Sequence, residues 1–246
     1  MPKRNQLVWF AVALLAASAA LYTIHFLIFR SLSHILIYGL GELAFLPIEV
    51  LIVSLVIERL LTASEHRAML NKLNMVIGAF FSEVGTEFMR RIFLLDQNFE
   101  HISQSFQVTP DWPNKRFDTT ANQVAGLDFR IRVDCPALAS LQEFLVGKRE
   151  FMLRLLENPN LLEHESFSEL LWAVFHLTEE LEARSDVSCL SAADRDHLEI
   201  DAKRAYVAVL TEWVRYMKHL KTAYPYLFAM AVRMNPFNPA ARAELP

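Results

Sequence analysis

Apolar residues are distributed along this chain in two different ways. From Leu7 to Phe29 (LVWFAVALLAASAALYTIHFLIF) and from Ile35 to Ile57 (ILIYGLGELAFLPIEVLIVSLVI) they are nearly continuous, and from Glu58 onward they recur at helical spacing among charged residues. Between positions 7 and 57 the only charged side chains are Arg30, Glu42 and Glu49. At helical rise each run is about 34 Å long, enough to cross a hydrocarbon core with slight tilt. Lys3-Arg4 followed by Ala17-Ser18-Ala19 resembles a secretory signal with its cleavage site. The apolar run continues well past that point to Phe29, so a retained anchor is expected. The short stretch Arg30 to His34 between the runs predicts a two-helix transmembrane hairpin over residues 1–57.

The remainder, 58–246, reads as a water-facing, antiparallel helical bundle, so the expected class is all-α. No proline occurs between Pro47 and Pro110, and Leu73, Val76, Ile77, Phe80, Val84, Phe88, Ile92 and Leu95 form a helical stripe. One or two helices are therefore expected from about 58 to 100. The turn-forming cluster Pro110-Asp111-Trp112-Pro113-Asn114 predicts an irregular loop over about 104–122. Beyond it, Pro136 opens a helix expected to reach Asn158, and Asn158-Pro159 marks the start of the next. Ser191 with Asp194 resembles a capping arrangement for a long helix from Ala192 to about Tyr224. Pro225 then separates a short terminal helix.

Charge adds topology and narrows the partners. The net charge is −4, with no basic stripe interleaved with aromatics, which argues against nucleic acid as a partner. Lys3 and Arg4 precede the first run, Arg59, Arg67 and Lys72 follow the second, and the connection carries Arg30 alone. Basic flanks face the cytoplasm, so both termini are expected there, with the lipid bilayer as the first partner. The two cysteines, Cys135 and Cys189, lack metal-ligand spacing and are too few for a disulfide framework.

Glu42 and Glu49 are the most informative residues. They are seven apart, hence on one helix face, and a carboxylate at that depth costs roughly 2.5 to 3.5 kcal/mol on insertion scales. Pro47 between them cannot donate to the carbonyl of Leu43 and should bend the helix. In a simple hairpin Glu42 lies opposite Tyr22 and within a turn of His25. Glu49 faces the Leu15–Ala17 region, which offers no strong donor. It is expected to stay protonated or to meet another subunit in a homo-oligomer, where it would line an ion path.

A metal site in the bundle has weaker grounds. Helical di-metal sites use Glu-x-x-His pairs; here the order is His176-x-x-Glu179, with Asp194-x-x-His197 and Asp201, and Glu83 and Glu87 as further carboxylates. The reversed order predicts no metal site, and no cofactor is expected. Phosphate-binding loops, nucleophile elbows and paired-cysteine motifs are missing, and only six glycines are present. The chain is therefore expected to be non-catalytic.

Three stretches, LPIEVLIVSLVIERLL at 46–61, LNMVIGAFFSEVGTEF at 73–88 and HLKTAYPYLFAMAVRMNPF at 219–237, resemble an uncharacterised family of bacterial two-span membrane proteins with a cytoplasmic helical domain. The resemblance implies that topology and the inner membrane of a bacterium, and it carries no activity, cofactor or site residue. The expected function is a membrane-anchored regulatory or assembly module with a protein partner, for which Phe106, Trp112 and Phe117 are candidate contact residues. The alternatives are a homo-oligomeric cation channel or transporter subunit using Glu49 and Glu42, and a metal-dependent bundle enzyme.

Overall fold

The computed structural model of the chain describes residues 4–159, 161, 164–187, 190–238 and 241–242; Lys3, Cys189 and Pro239 lie outside them. The chain is all-helical, with two long apolar helices followed by a helical domain. Among the described residues the only pairing of extended backbone is one antiparallel bridge between Asp96 and Ile131. The chain divides into two compact units, Met1–His66 and Arg67–Pro246.

In the first unit α1 (Arg4–Phe29) is followed by α2 (Leu32–Phe80), whose residues up to His66 belong to this unit. The turn is made at Arg30, whose positive φ of 45° puts a non-glycine residue in the left-handed region. Its amide closes the end of α1 by donating to the carbonyl of Phe26 at 2.8 Å. Within these helices the stretches Trp9–Phe29 and Ile35–Thr62 are long and apolar enough to cross a membrane, and among the described residues none of either stretch is buried. Pro47 lies inside α2, which continues on both sides of it.

The second unit has its own core. Its central element is α9 (Ala192–Ala223), packed against α8 (Glu165–Glu182), α5 (Asn114–Gln123), α10 (Pro225–Arg233) and α3 (Thr86–Phe93). Ser191 caps α9, its hydroxyl accepting from the amide of Asp194 at 3.1 Å. Tyr206, Val209, Leu210, Val214 and Met217 are fully buried along it. From α8 they meet Phe167, Leu170, Leu171, Val174 and Leu181, the apolar stripe of an amphipathic helix.

Several boundaries differ from the sequence expectation for local reasons. The short α4 (Phe99–Ser103) precedes the expected loop over 104–122, which is irregular only in its first half. Pro113 adopts an extended conformation that starts α5, and Phe117 and Ala121, four apart, bury one face of that helix. Phe106, Trp112 and Phe117 are buried rather than presented as a contact surface. Trp112 packs on Phe117 with ring centroids 5.1 Å apart, and Phe106 packs on Phe237 at 5.3 Å. The helix expected from Pro136 to Asn158 is two helices, α6 (Cys135–Gly147) and α7 (Arg149–Leu156), interrupted at Lys148 beside the weak helix former Gly147. Next, α8 begins at Glu165 rather than after Pro159, because the imidazole of His164 caps it by accepting from the amide of Phe167 at 3.2 Å.

The stripe beginning at Leu73 holds an irregularity that periodicity did not reveal. Phe80, Val84, Phe88 and Ile92 are all fully buried, each four residues after the last. Four residues advance about 400° in an α-helix, so such a series drifts off the core. The drift is absorbed by a π-helical turn over Phe81–Gly85, which is wider than an α-turn. Thr86 stabilises it by donating both its amide and its hydroxyl to the carbonyl of Phe81. Gly85 is required there: a Cβ would stand 2.5 Å from the ring of Phe81 and 2.8 Å from that of Phe80. Gly85→Ala should therefore destabilise the helical unit by about 1–3 kcal/mol, the usual effect of overpacking. Gly126→Ala, where a Cβ meets nothing within 4 Å, should change little, and thermal unfolding of both variants by circular dichroism reads the difference.

Candidate functional site

Two acidic residues of the first unit, Glu42 and Glu49, face a common hollow. Tyr22 of α1 and Gly39, Gly41, Glu42 and Glu49 of α2 line a space of about 720 Å³. The Tyr22 hydroxyl donates to Glu42 Oε2 over a long 3.5 Å, so the residue opposite Glu42 is the expected one. Partly buried His25 packs its ring on Phe29, centroids 4.8 Å apart. Among the described residues Glu49 has no hydrogen-bond partner, although it faces the same hollow as Glu42.

In the second unit a polar seam joins α8 and α9. Helical spacing of four puts His176 and Glu180 in a row on α8 with Arg184 just past its end, and His197 and Asp201 in a row on α9. Asp201 is 3% exposed, and its Oδ2, which has no hydrogen bond, stands 3.5 Å from Nε2 of His176 and 3.3 Å from Nε2 of His197. His197 Nε2 lies also 3.5 Å from Glu180 Oε2. Two guanidinium groups pair with the three carboxylates. Arg184 holds Glu180 at 2.8 Å and reaches Asp194 at 3.4 Å, and Arg204 holds Asp201 Oδ1 at 3.2 Å.

The residues considered for a metal are thus partly assembled and partly dispersed. His176, His197 and Asp201 meet in the seam. Glu179 is exposed and takes no part, and its neighbour Glu180 does instead. Glu83 pairs with Lys148 at 2.9 Å, and Glu87 pairs with Arg91 at 2.9 Å and Arg90 at 3.7 Å. Among the described residues no group of three or more His, Cys, Asp or Glu side chains is placed to hold one metal ion. Arg184 pairs with Glu180 and Asp194, and Arg204 pairs with Oδ1 of Asp201. Glu180, Arg184 and Arg204 were not singled out from sequence, although the spacing of four from His176 to Glu180 to Arg184 is visible there.

Electrostatics give the seam a direction. The hydrogen bond from Arg184 holds the Glu180 carboxyl below its usual range, helped by the charges of Arg184 and the two histidines and opposed by partial burial. Asp194 is lowered by hydrogen bonds from Ser191 and Arg184. Elsewhere on α9, burial lowers His219. All three groups take up protons more readily when unfolded, so acid destabilises the fold. The melting temperature should decline first as pH falls below the ordinary histidine value of 6.5. It should decline again below the ordinary glutamate value of 4.5. Glu180→Gln should flatten the second decline and leave the first unchanged in a pH series of thermal melts.

Comparison with known proteins assigns the family. Residues 69–233 match the family model described as Uncharacterized protein MJ1433, C-terminal helical domain, and residues 2–61 match the one described as MJ1433, N-terminal helical domain. Uncharacterized protein MJ1433 of Methanocaldococcus jannaschii is 44% identical over 236 residues, covering 96% of this chain and 94% of that protein. No solved structure matches. That relative is archaeal, and nothing in the matches bears on a bacterial source or on membrane crossing. With both models matched in order and most of its length aligned to such a relative, the chain belongs to the MJ1433 family of proteins built from an N-terminal and a C-terminal helical domain.

Proposed function

We propose that this chain is a membrane-anchored, non-catalytic helical module that acts through protein contacts, as a regulatory or assembly component. The observation that carries the reading is the uncovered apolar surface of α1 and α2. Trp9, Leu15, Ile37 and Leu40 are each 70% exposed or more, in two helices with no buried part in their apolar stretches. An apolar area of that size far exceeds what a water-soluble monomer leaves open, whereas helices satisfy their own backbone in lipid. Basic residues flanking the two stretches support placing both ends on the cytoplasmic side. In the second unit each carboxylate of the polar seam is paired with an arginine, which supports a scaffold rather than a reaction centre.

The full-length protein should stay in the membrane pellet through alkaline carbonate washing and be released only by detergent. Crosslinking in those membranes should capture either copies of this chain or a distinct protein. Recovery in the soluble fraction without detergent removes the anchor, and capture of monomer alone removes the contact role.

A second reading rests on Glu42 and Glu49 lining one hollow with Tyr22. Two spans are too few to conduct alone, so copies would assemble with Glu49 toward a shared cation path. In proteoliposomes this requires cation flux that Glu49→Gln reduces by tenfold or more. No flux, or equal flux from both proteins, rules it out.

A further inference from the structure

The helical unit contains a hollow that belongs neither to the polar seam nor to the apolar helices. It has a volume of about 490 Å³ and is bounded by the last turn of α2 with the π turn, by α3, by α9 and by α10. That volume is within the usual range of small-molecule sites. Its apolar wall includes Phe81, Trp213, Met217, Met230 and Met234. Methionine side chains are flexible and polarizable, so they adapt to apolar chains of varied shape. Leu227 is 40% exposed and Met230 51%, which leaves one side of the hollow open.

The polar end has unshared donors. Glu87 offers one carboxylate to two guanidinium groups, and it favours Arg91 at 2.9 Å over Arg90 at 3.7 Å. Among the described residues the one hydrogen bond of the Arg90 side chain is a long 3.4 Å contact to the carbonyl of Met234. Its planar fork of N–H donors suits a carboxylate or phosphate. Tyr216 lines the same hollow, stacked on Phe81 with centroids 5.2 Å apart, and its hydroxyl has no hydrogen-bond partner among the described residues. Gly78 makes room for that hydroxyl, which lies 2.9 Å from where a Cβ would stand.

We infer that this hollow binds a single-chain amphiphilic anion, its apolar tail among the methionines and Trp213 and its anionic head on Arg90, with Tyr216 as a second donor. Charge selects the head: Arg91, which does not line the hollow, holds Glu87 at 2.9 Å, so the guanidinium of Arg90 is the charge left facing the hollow, where an anion is attracted and a cationic head of equal size is repelled. Carboxylate and phosphate monoester heads share the required chemistry. Every residue that lines the hollow belongs to the second unit, including Gly78 in the last turn of α2.

The test uses the full chain in neutral-lipid nanodiscs, with dodecanoate carrying a terminal diazirine as probe. After irradiation, peptide mapping should find label on Met217, Met230 or Met234, besides label on residues 9–62 from probe dissolved in the lipid. Excess dodecanoate or dodecyl phosphate should remove the first label, and dodecyltrimethylammonium should not. Arg90→Gln should cut it about tenfold, the effect of losing one charge-assisted hydrogen bond, while the label on 9–62 is unchanged. Met230→Glu, at an exposed position, should do the same without altering the melting temperature. The proposal is overturned if the hollow is labelled no more than exposed Leu94, if the cation competes as well as the anions, or if neither variant changes the label. If anionic phospholipid added to the nanodiscs displaces the probe completely, the occupant is a membrane lipid and the single-chain assignment falls.

Discussion

Where a helix puts its apolar side chains decides what can cover them, and this constraint separates the two halves of the chain. Around α1 and the first part of α2 such side chains occupy the whole circumference, and those stretches find no protein cover. From Leu73 onward they are confined to one stripe per helix, and Leu73, Ile77, Phe80, Phe88 and Ile92 are all buried. A stripe can be satisfied by one neighbouring helix, whereas a full circumference cannot be satisfied by one partner in water. The core of the second unit follows from the first arrangement, and the demand for an apolar environment around the first unit follows from the other.

Inside the second unit the same logic applies to charge. Asp201 is almost fully buried, which is tolerable only with compensation nearby. Arg204 on its own helix supplies that compensation at Oδ1, and the rings of His176 and His197 stand beside Oδ2. Arg184 then ties Glu180 of α8 to Asp194 in the first turn of α9, where an acidic residue also suits the helix dipole. The seam thus fixes how α8 lies along α9 with groups that also titrate.

How much of this was legible in the sequence depends on the range of the interaction involved. The all-helical class and the ends of α9 rest on local chemistry: the Ser191 cap, the continuous run of helix formers and the stop at Pro225. The residue opposite Glu42 was legible because a short turn sets the register of a hairpin. By contrast, α5 was hidden because Pro and Asn around position 113 signal a turn, and these same residues start a helix when Phe117 finds a buried place. The burial of Asp201 was hidden as well. Its spacing from His197 was visible, but the contribution of His176 and Glu180 comes from another helix.

The π turn shows why the groove could not be read from periodicity alone. A run of core positions four apart, from Phe80 to Ile92, reads as an ordinary amphipathic helix until the accumulated rotation is counted. Widening one turn keeps all of them buried and brings Phe80 and Phe81 into the core side by side, their rings edge to face at 5.4 Å. Phe81 then stacks on Tyr216, and Ser82 and Thr86 line the hollow beside it. One register correction therefore serves two ends: it keeps the core continuous past Gly85, and it shapes the wall against which the methionines of α9 and α10 leave space. Such turns recur at functional sites because the inserted residue changes which side chains face a neighbour without breaking the helix.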